Sequence, residues 1–177
     1  MKKTVLICGL AAGLISSAMF IGLMLLGKAG DDHFENGMIY GFTLMFLAFS
    51  LIFVGTKITR DKYNGGYISF GKAFRVGLYI TLIAATIYVL VWMIDYYIFI
   101  PDFGEKYAAQ AVKKLQESGA TAEVIAKKAK EMEDFSRMYK NPFFNALITY
   151  SEIVPVGLLV SLISAFILKK KPAVSLS

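Results

Sequence analysis

Four long stretches of the chain are almost free of charged residues, and they constrain the fold more than any other feature. They cover residues 4–26, 37–56, 74–100 and 142–168. As helices rising about 1.5 Å per residue, all four are long enough to cross a hydrocarbon core roughly 30 Å thick. A backbone in hydrocarbon must satisfy its own hydrogen bonds, and these runs lack the alternation of barrel strands. The pattern predicts an all-α integral membrane four-helix bundle, with residues 1–177 forming one membrane domain.

Composition agrees with this interpretation. Only 18% of the residues are charged and 56% are hydrophobic, whereas soluble domains carry about 25% charged residues. Cys8 is the single cysteine, so a disulfide framework is excluded. A cleaved signal peptide is the less favoured alternative for the first run, because its 23 uncharged residues exceed the roughly 7 to 15 of a signal's apolar region.

Basic residues are concentrated on alternate connections between the runs. By the positive-inside rule, the N-terminus, the second loop and the C-terminus are expected to face the cytoplasm of a bacterial inner membrane. The net charge of +6 then reflects orientation and contact with membrane lipids, with no nucleic-acid partner. Aromatic residues near the ends of the runs, Trp92 and Tyr96 among them, are typical of interfacial belts. The basic residues are Lys2 and Lys3, then Lys57, Arg60, Lys62, Lys72 and Arg75, and finally Lys169, Lys170 and Lys171.

Residues 102–141 form the one segment that resembles a soluble protein. It carries eight basic and seven acidic residues, so its charges nearly cancel. Apolar residues spaced by three or four predict two amphipathic helices, an extracytoplasmic helical hairpin before the fourth run. We expect Asp102 to cap the first helix with Glu105 as its capping-box partner, Gly119 to end it, and Thr121 to cap the second. The hairpin either packs on the bundle or docks on an envelope partner or a second copy.

A glycine-rich segment between the second and third runs matches the first part of a phosphate-binding P-loop. Ala73 occupies the position where Mg²⁺ needs a hydroxyl, and no strand precedes the segment. We therefore expect a turn, with Ser69 capping the third helix, and no bound cofactor. The loop residues of interest are Gly65, Gly66, Gly71 and Lys72.

Two acidic residues interrupt the apolar runs. Asp95 follows the third run, and we expect it at the outer interface in contact with water. If the hydrocarbon begins near Ala146, Glu152 lies about 9 Å inside the fourth run. An ionisable side chain at such depth costs roughly 2.5 to 3.5 kcal/mol, which makes Glu152 a candidate functional residue. A proton or ion relay and a structural hydrogen bond both remain open for it, and Pro155 is expected to kink the helix beside it.

Small residues recur every four positions in three of the runs, which allows helices to approach closely. At about 100° per residue, Glu152 lies some 140° to 180° around the helix from this stripe in the fourth run. The acid therefore points away from that contact, and a second helix or an oligomer interface must cover it. The packing residues are Gly9 and Gly13, Gly77, and Gly157 and Ser161.

Three segments resemble a family of bacterial membrane proteins collected as domain of unknown function 4199. They are the segment from Gly65 to Phe74 with Gly77, the stretch from Tyr96 to Phe103, and the run from Glu152 to Ser164 that includes Pro155 and Gly157. The resemblance implies four helices and a long loop before the last one. It implies no reaction, because the family has no established activity.

Function is less constrained than architecture. The sequence shows no set of nucleophile, base and orienting residue, and His33, its single histidine, lies in an acidic loop. We therefore expect no catalytic residues, no metal ligands and no enzyme. The leading hypothesis is a structural or interaction protein whose hairpin associates with an envelope protein or a second copy. The alternative is a small proton-linked carrier or channel subunit that uses Glu152.

Overall fold

The computed structural model describes residues 1–26 and 37–172, and in those residues it contains seven α-helices. A π-helical turn, Asp95–Phe99, continues the fourth helix. The strand-like pairing within these ranges is a single antiparallel bridge between Ile68 and Lys170, so the predicted all-α class is confirmed for them. The predicted acidic loop around His33 lies outside the described residues. The helices are α1 Lys2–Ser16, α2 Ala18–Leu25, α3 Gly37–Tyr63, α4 Phe70–Ile94, α5 Phe103–Glu117, α6 Ala122–Tyr139 and α7 Pro142–Leu168.

Three of the helices, α3, α4 with its π turn, and α7, are long and apolar enough to cross a membrane. The bent pair α1 and α2 makes a fourth candidate if it is counted as one span. We call these four elements the apolar helices. In α3, in α4 with its π turn and in α7, between 33% and 44% of the most apolar window is buried inside the protein, so most of that apolar surface faces outward. An outward apolar surface of this extent is the pattern expected for helices in lipid.

The first run is not the single uninterrupted helix expected over residues 4–26. Its two halves, α1 and α2, meet at Ser17 with a bend of 53°. The hydroxyl of Ser16 donates to the carbonyl of Gly13 at 3.0 Å, and the Ser17 backbone N–H bonds the same carbonyl. Serine hydroxyls that compete for backbone carbonyls are a known cause of helix bends. Competition from the Ser16 hydroxyl therefore accounts for the break.

Helix α4 lies at the centre and packs against α1, α3 and α7. Its contact with α7 is a reciprocal fit of small residues. A Cβ added to Gly77 would lie 2.7 Å from the Ser161 Oγ, and one added to Gly157 would overlap Thr81. The hydroxyls of Thr81 and Ser161 are 3.3 Å apart across the contact, and Ser161 also donates to the Gly157 carbonyl at 2.7 Å. We call these four residues the α4–α7 seam.

Two glycines bring α1 equally close to the other side of α4. An added Cβ on Gly9 or on Gly13 would lie 2.7 Å from the Cβ of Ile83 or Ile87, respectively. The predicted small-residue stripes of α1, α4 and α7 thus all lie at helix contacts. Glycine at these positions replaces side-chain volume with direct backbone approach, which is how helices pack when lipid supplies no hydrophobic driving force between them.

The two amphipathic helices predicted over residues 102–141 are α5 and α6, which pack along each other. Gly119 ends α5 at φ +75°, as predicted, and the N–H of Ala120 bonds the Leu115 carbonyl in a Schellman arrangement. The Thr121 hydroxyl caps α6 by accepting the Val124 N–H. At the start of α7, Asn141 accepts from the first two backbone N–H groups after Pro142.

The predicted capping box at Asp102 is wrong. The Asp102 side chain makes no cap hydrogen bond, because its carboxylate pairs with Lys106 one turn on, at 2.8 Å. The hydrogen bond from the Lys106 ammonium lowers the pKa of Asp102. Glu105, the expected partner, instead accepts from Lys140 Nζ at 3.0 Å and so connects the two ends of the hairpin.

The seam predicts a sharp contrast between two glycine-to-alanine substitutions. Gly157→Ala inserts a methyl group where Thr81 and the Phe49 ring already lie, and overpacking of this kind costs about 1–3 kcal/mol. Gly41→Ala in α3 meets nothing within 4 Å, and removing a helical glycine there stabilises by up to about 1 kcal/mol. Unfolding equilibria in mixed micelles measure both changes. Equal stabilities for the two variants would contradict the seam.

Candidate functional site

The hairpin joins the apolar helices through a cluster of aromatic side chains, which we call the aromatic junction. Ring centroids lie 5.2 Å apart for Phe20 and Trp92, and 5.0 Å apart for Trp92 and Phe103. On the other side of the cluster, the Tyr96 and Tyr139 rings are 5.3 Å apart. Contacts of this kind connect α2, α4, its π turn, α5 and α6. The junction consists of Phe20, Trp92, Tyr96, Phe103, Phe135 and Tyr139.

Trp92 and Tyr96 were expected in an interfacial belt, and that expectation is wrong. They are 6% and 2% exposed, respectively, because α4 and its π turn direct both rings towards the hairpin base. Tyr40 and Phe143, at 59% and 78% exposed, do face outward as belt residues would. One feature of the sequence indicated that some aromatic rings near the hairpin would be buried. Tyr139 lies one helical turn after Phe135 on the apolar stripe of α6, and such a stripe has to pack against other apolar side chains.

Tyr139 supplies the specific polar contact of the junction. The indole N–H of Trp92 donates to the Tyr139 hydroxyl at 3.0 Å. Burial raises the pKa of Tyr139 to about 12, against the opposing effect of hydrogen bonds with Thr149 and Trp92. The phenol is protonated at neutral pH, as any tyrosine is, and its oxygen accepts the indole hydrogen bond. It connects α4, α6 and α7 at one point.

A second set of polar contacts holds the chain where the hairpin returns to α7. The Tyr97 hydroxyl donates to the carbonyl of Lys140 at 3.1 Å. The Lys140 ammonium in turn pairs with Glu105 at the base of α5. Because Lys140 and Glu105 are 57% and 66% exposed and Tyr97 is 39% exposed, each contact contributes modestly. Their effect is to fix the angle at which the hairpin leaves the apolar helices.

Asp95 does not remain in water as expected, since it is 0% exposed. The π turn that begins at Asp95 widens the helix by one residue per turn, and this rotates Asp95 and Tyr96 towards the interior. Asn145 of α7 is also 0% exposed, and its side-chain amide has no hydrogen-bond partner among the described residues. The hairpin end of the protein therefore buries Asp95, which was expected in water, and Asn145, which the sequence analysis did not single out.

Glu152 lies on the outward face of α7, where its side chain is exposed. The neighbouring seam residues Gly157 and Ser161 are buried on the other side of the helix. The expectation that the acid points away from the seam therefore agrees with the structure. The helix continues unbroken through Pro155, from Pro142 to Leu168. Within the described residues, the Glu152 carboxyl makes neither a hydrogen bond nor an ion pair.

The glycine-rich segment forms a turn at the opposite end of the protein. Gly65 and Gly66 have φ values of +60° and +84°, which only glycine adopts without strain. Lys72 lies in the first turn of α4 together with Gly71, and its ammonium donates to the Asn64 side chain. We call this region the loop end.

Two backbone hydrogen bonds join the loop end to the C-terminal end of α7. They connect Ile68 and Lys170 in both directions at 3.1 and 2.9 Å. Ile68 is 1% exposed and packs with Ala73 and Ala165. The Ser69 hydroxyl caps α4, as predicted. With its lysine engaged and its backbone paired, the segment is a structural turn that fixes the loop to α7.

Elsewhere in the described ranges, the side chains that could bind a metal or act in catalysis do not cluster. No three His, Cys, Asp or Glu side chains there lie together as metal ligands would. Cys8 is buried beside Gly55 in the contact between α1 and α3. The features that distinguish this protein are therefore the hairpin on its aromatic junction and the exposed acid of α7.

The junction predicts that one hydroxyl stabilises the hairpin base. Tyr139→Phe removes the acceptor of the Trp92 indole N–H and should lower the free energy of unfolding by about 1 kcal/mol. Backbone amides near the end of α6 should also exchange faster with deuterium. Tyr107→Phe is the matched control, because that side chain is 43% exposed. If Tyr139→Phe behaves like Tyr107→Phe in both measurements, the contact does not hold the base.

Comparison with known proteins identifies the family of this chain but gives no activity for it. No curated protein and no solved structure matches the chain. The model of the family described as "Protein of unknown function (DUF4199)" matches residues 7–170. That match spans nearly the whole chain and includes the glycine-rich turn, the hairpin and the Glu152 region. The chain belongs to the DUF4199 family.

Proposed function

We propose that this is an integral protein of a bacterial inner membrane with a structural or interaction role, in which the α5–α6 hairpin is the docking surface for a partner in the cell envelope. The observation that carries the proposal is the way the hairpin is mounted. Among the described helices, α5 packs extensively on α6 alone, and the hairpin meets the apolar helices at the aromatic junction. Most of its length therefore stands clear of the rest of the protein.

The surface of the hairpin fits a protein partner better than a polyanion. Its eight basic and seven acidic residues are partly paired with each other, as in Lys113–Glu117 and Arg137–Asp134. Apolar side chains are exposed between them: Tyr107, Val124 and Met138 are 43%, 49% and 51% exposed. Apolar groups set among balanced charges are the usual composition of a protein–protein interface, whereas a nucleic-acid site needs a positive surface.

We also propose an orientation in which the loop end and both termini face the cytoplasm and the hairpin faces out. Ten basic residues against one acid lie at the N-terminus, around the loop end and after α7. A bias of this size in short connections is the main determinant of membrane orientation. The same residues then lie near anionic lipid headgroups.

A proton-linked carrier remains the second hypothesis, since Glu152 is an ionisable group within a candidate span. Its position favours the interaction role, because the side chain is exposed on the outer face of α7 and does not lie between the helices of one chain. Flux measurements in proteoliposomes separate the two: a carrier requires transport by the parent protein that Glu152→Gln abolishes. Catalysis forms no part of the proposal.

Site-specific photocrosslinking in intact cells tests the docking role. A photoreactive residue at position 107 or 124 should give a discrete adduct with one partner, identified by mass spectrometry. Position 63 is the control, because Tyr63 is 53% exposed at the loop end. Absence of an adduct from both hairpin positions, or the same adduct from all three, would count against docking by the hairpin.

Labelling with a membrane-impermeant maleimide tests the orientation. In a Cys8→Ala background, Ser118→Cys at the hairpin tip should react in intact spheroplasts. Lys62→Cys at the loop end should react after lysis only. The reverse pattern would place the hairpin in the cytoplasm and exclude an envelope partner.

A further inference from the structure

The outward face of α7 carries an acid at the start of an apolar stripe. Leu159, Ile163 and Phe166 follow Glu152 on nearly the same side of the helix and are 54%, 50% and 66% exposed. Pro155 lies beside them and is also exposed. We call these five residues the Glu152 face. Apolar side chains alone would be stable in contact with lipid. The carboxyl group of Glu152 would not be, so contact with lipid does not account for it.

Because Glu152 lies deep in the candidate span, contact between its carboxyl group and lipid has a high free-energy cost. Ten residues separate Glu152 from Pro142 at the start of α7, which corresponds to about 15 Å along the helix. A further sixteen residues reach Leu168, so the acid lies well inside the candidate span. Hydrocarbon offers no hydrogen bonds, and an acidic side chain at such depth costs roughly 2.5 to 3.5 kcal/mol. Acids within membrane helices therefore face protein or water and are almost always paired.

Pro155 places an unpaired acceptor on the same turn. Proline has no N–H, so the carbonyl of Ser151 lacks the donor that residue i+4 supplies in a regular helix. Ser151 is exposed, and its own hydroxyl donates to the Ile148 carbonyl. One turn of α7 thus presents a carboxyl group, which can donate when it is protonated, and a backbone carbonyl that lacks its usual helical donor.

We infer that the Glu152 face is covered by the same face of a second copy, which makes the protein a homodimer through α7. Two copies inserted in the same orientation are related by an axis along the membrane normal, so their Glu152 side chains necessarily lie at the same depth. Each acid, when protonated, then donates to the Ser151 carbonyl of the other copy, which gives two interhelical hydrogen bonds.

Symmetry is the reason to choose a second copy as the partner. Any other protein would need its own donor and acceptor at this depth, whereas a second copy supplies both without a further requirement. The apolar residues of the stripe lie on the same side and pack along the axis towards the loop end. This interface lies within the span and is independent of docking by the hairpin, so either proposal can fail without the other.

Dimerisation in liposomes of phosphatidylethanolamine and phosphatidylglycerol tests the inference. Single-molecule photobleaching of the labelled full chain should give a dimer for the parent. Glu152→Gln should keep it, because an amide retains a donor and an acceptor. Glu152→Leu should raise the dissociation constant about tenfold, the effect of losing two interhelical hydrogen bonds. Pro155→Ala should weaken the dimer as well, because it restores the N–H that pairs the Ser151 carbonyl.

Cysteine crosslinking locates the interface without altering the acid. In a Cys8→Ala background, Leu159→Cys should form a disulfide-linked dimer on oxidation in membranes. Val54→Cys is the matched control, because it is exposed and lies seventeen residues into α3, as Leu159 does in α7. A monomeric parent, a Glu152→Leu variant that dimerises like the parent, or equal crosslinking at positions 159 and 54 would each overturn the inference.

Discussion

The close approach of α4 and α7 fixes most of what distinguishes this protein. At the seam, Gly77 receives Ser161 and Gly157 receives Thr81, so the two helices meet with almost no side chain between them. Helices in lipid gain little from burying apolar groups, and their association depends on close packing and hydrogen bonds of this kind. A contact so tight permits one rotation of α7 about its axis. That rotation places Gly157 and Ser161 on the buried side of α7 and leaves Glu152 and Leu159 exposed.

The hairpin depends on the same arrangement through the other end of α7. Asn141 and Pro142 start α7 immediately after α6, so the position of α7 sets where the hairpin begins. The aromatic junction then holds its base by ring packing and by the hydrogen bond from Trp92 to Tyr139. Buried polar groups such as Asn145 lie nearby without partners in the described residues, and each such group costs about 1–3 kcal/mol. The unpaired amide of Asn145 is therefore a destabilising feature at the hairpin end.

Features that depend on local sequence or on apolar length could be predicted. The positions of α3, α4 and α7, the caps at Ser69, Thr121 and Asn141, and the glycine turn at Gly119 all follow from neighbouring residues. The predictions that were wrong failed because of tertiary contacts or because two groups compete for a single hydrogen bond. The Asp102 carboxylate pairs with Lys106 and therefore does not cap α5. The Ser16 hydroxyl, which competes for the Gly13 carbonyl, bent the first run.

The residues of the candidate site also differ in whether the sequence could predict their positions. Glu152 could be identified because one acid in an apolar run is visible in the sequence, and its direction followed from helical geometry. The burial of Asp95 could not, because it depends on a single π turn that shifts the residue around the helix axis. The burial of Asn145 and the hydrogen bond between Trp92 and Tyr139 were missed, since both depend on which helices pack together. No residue pattern within one helix carries that information.

The central claim is that the α4–α7 seam sets the rotation of α7, and an engineered disulfide tests it most directly. The Thr81 and Ser161 hydroxyls are 3.3 Å apart, a separation that brings two cysteines at these positions within bonding range. In a Cys8→Ala background, oxidation of the Thr81→Cys, Ser161→Cys double variant in membranes should therefore give an intramolecular disulfide. The Thr86→Cys, Ser161→Cys pair, on the same helices at different levels, should give none. A disulfide in the second pair and not in the first would show that α7 is rotated or shifted relative to α4, and the account would be wrong.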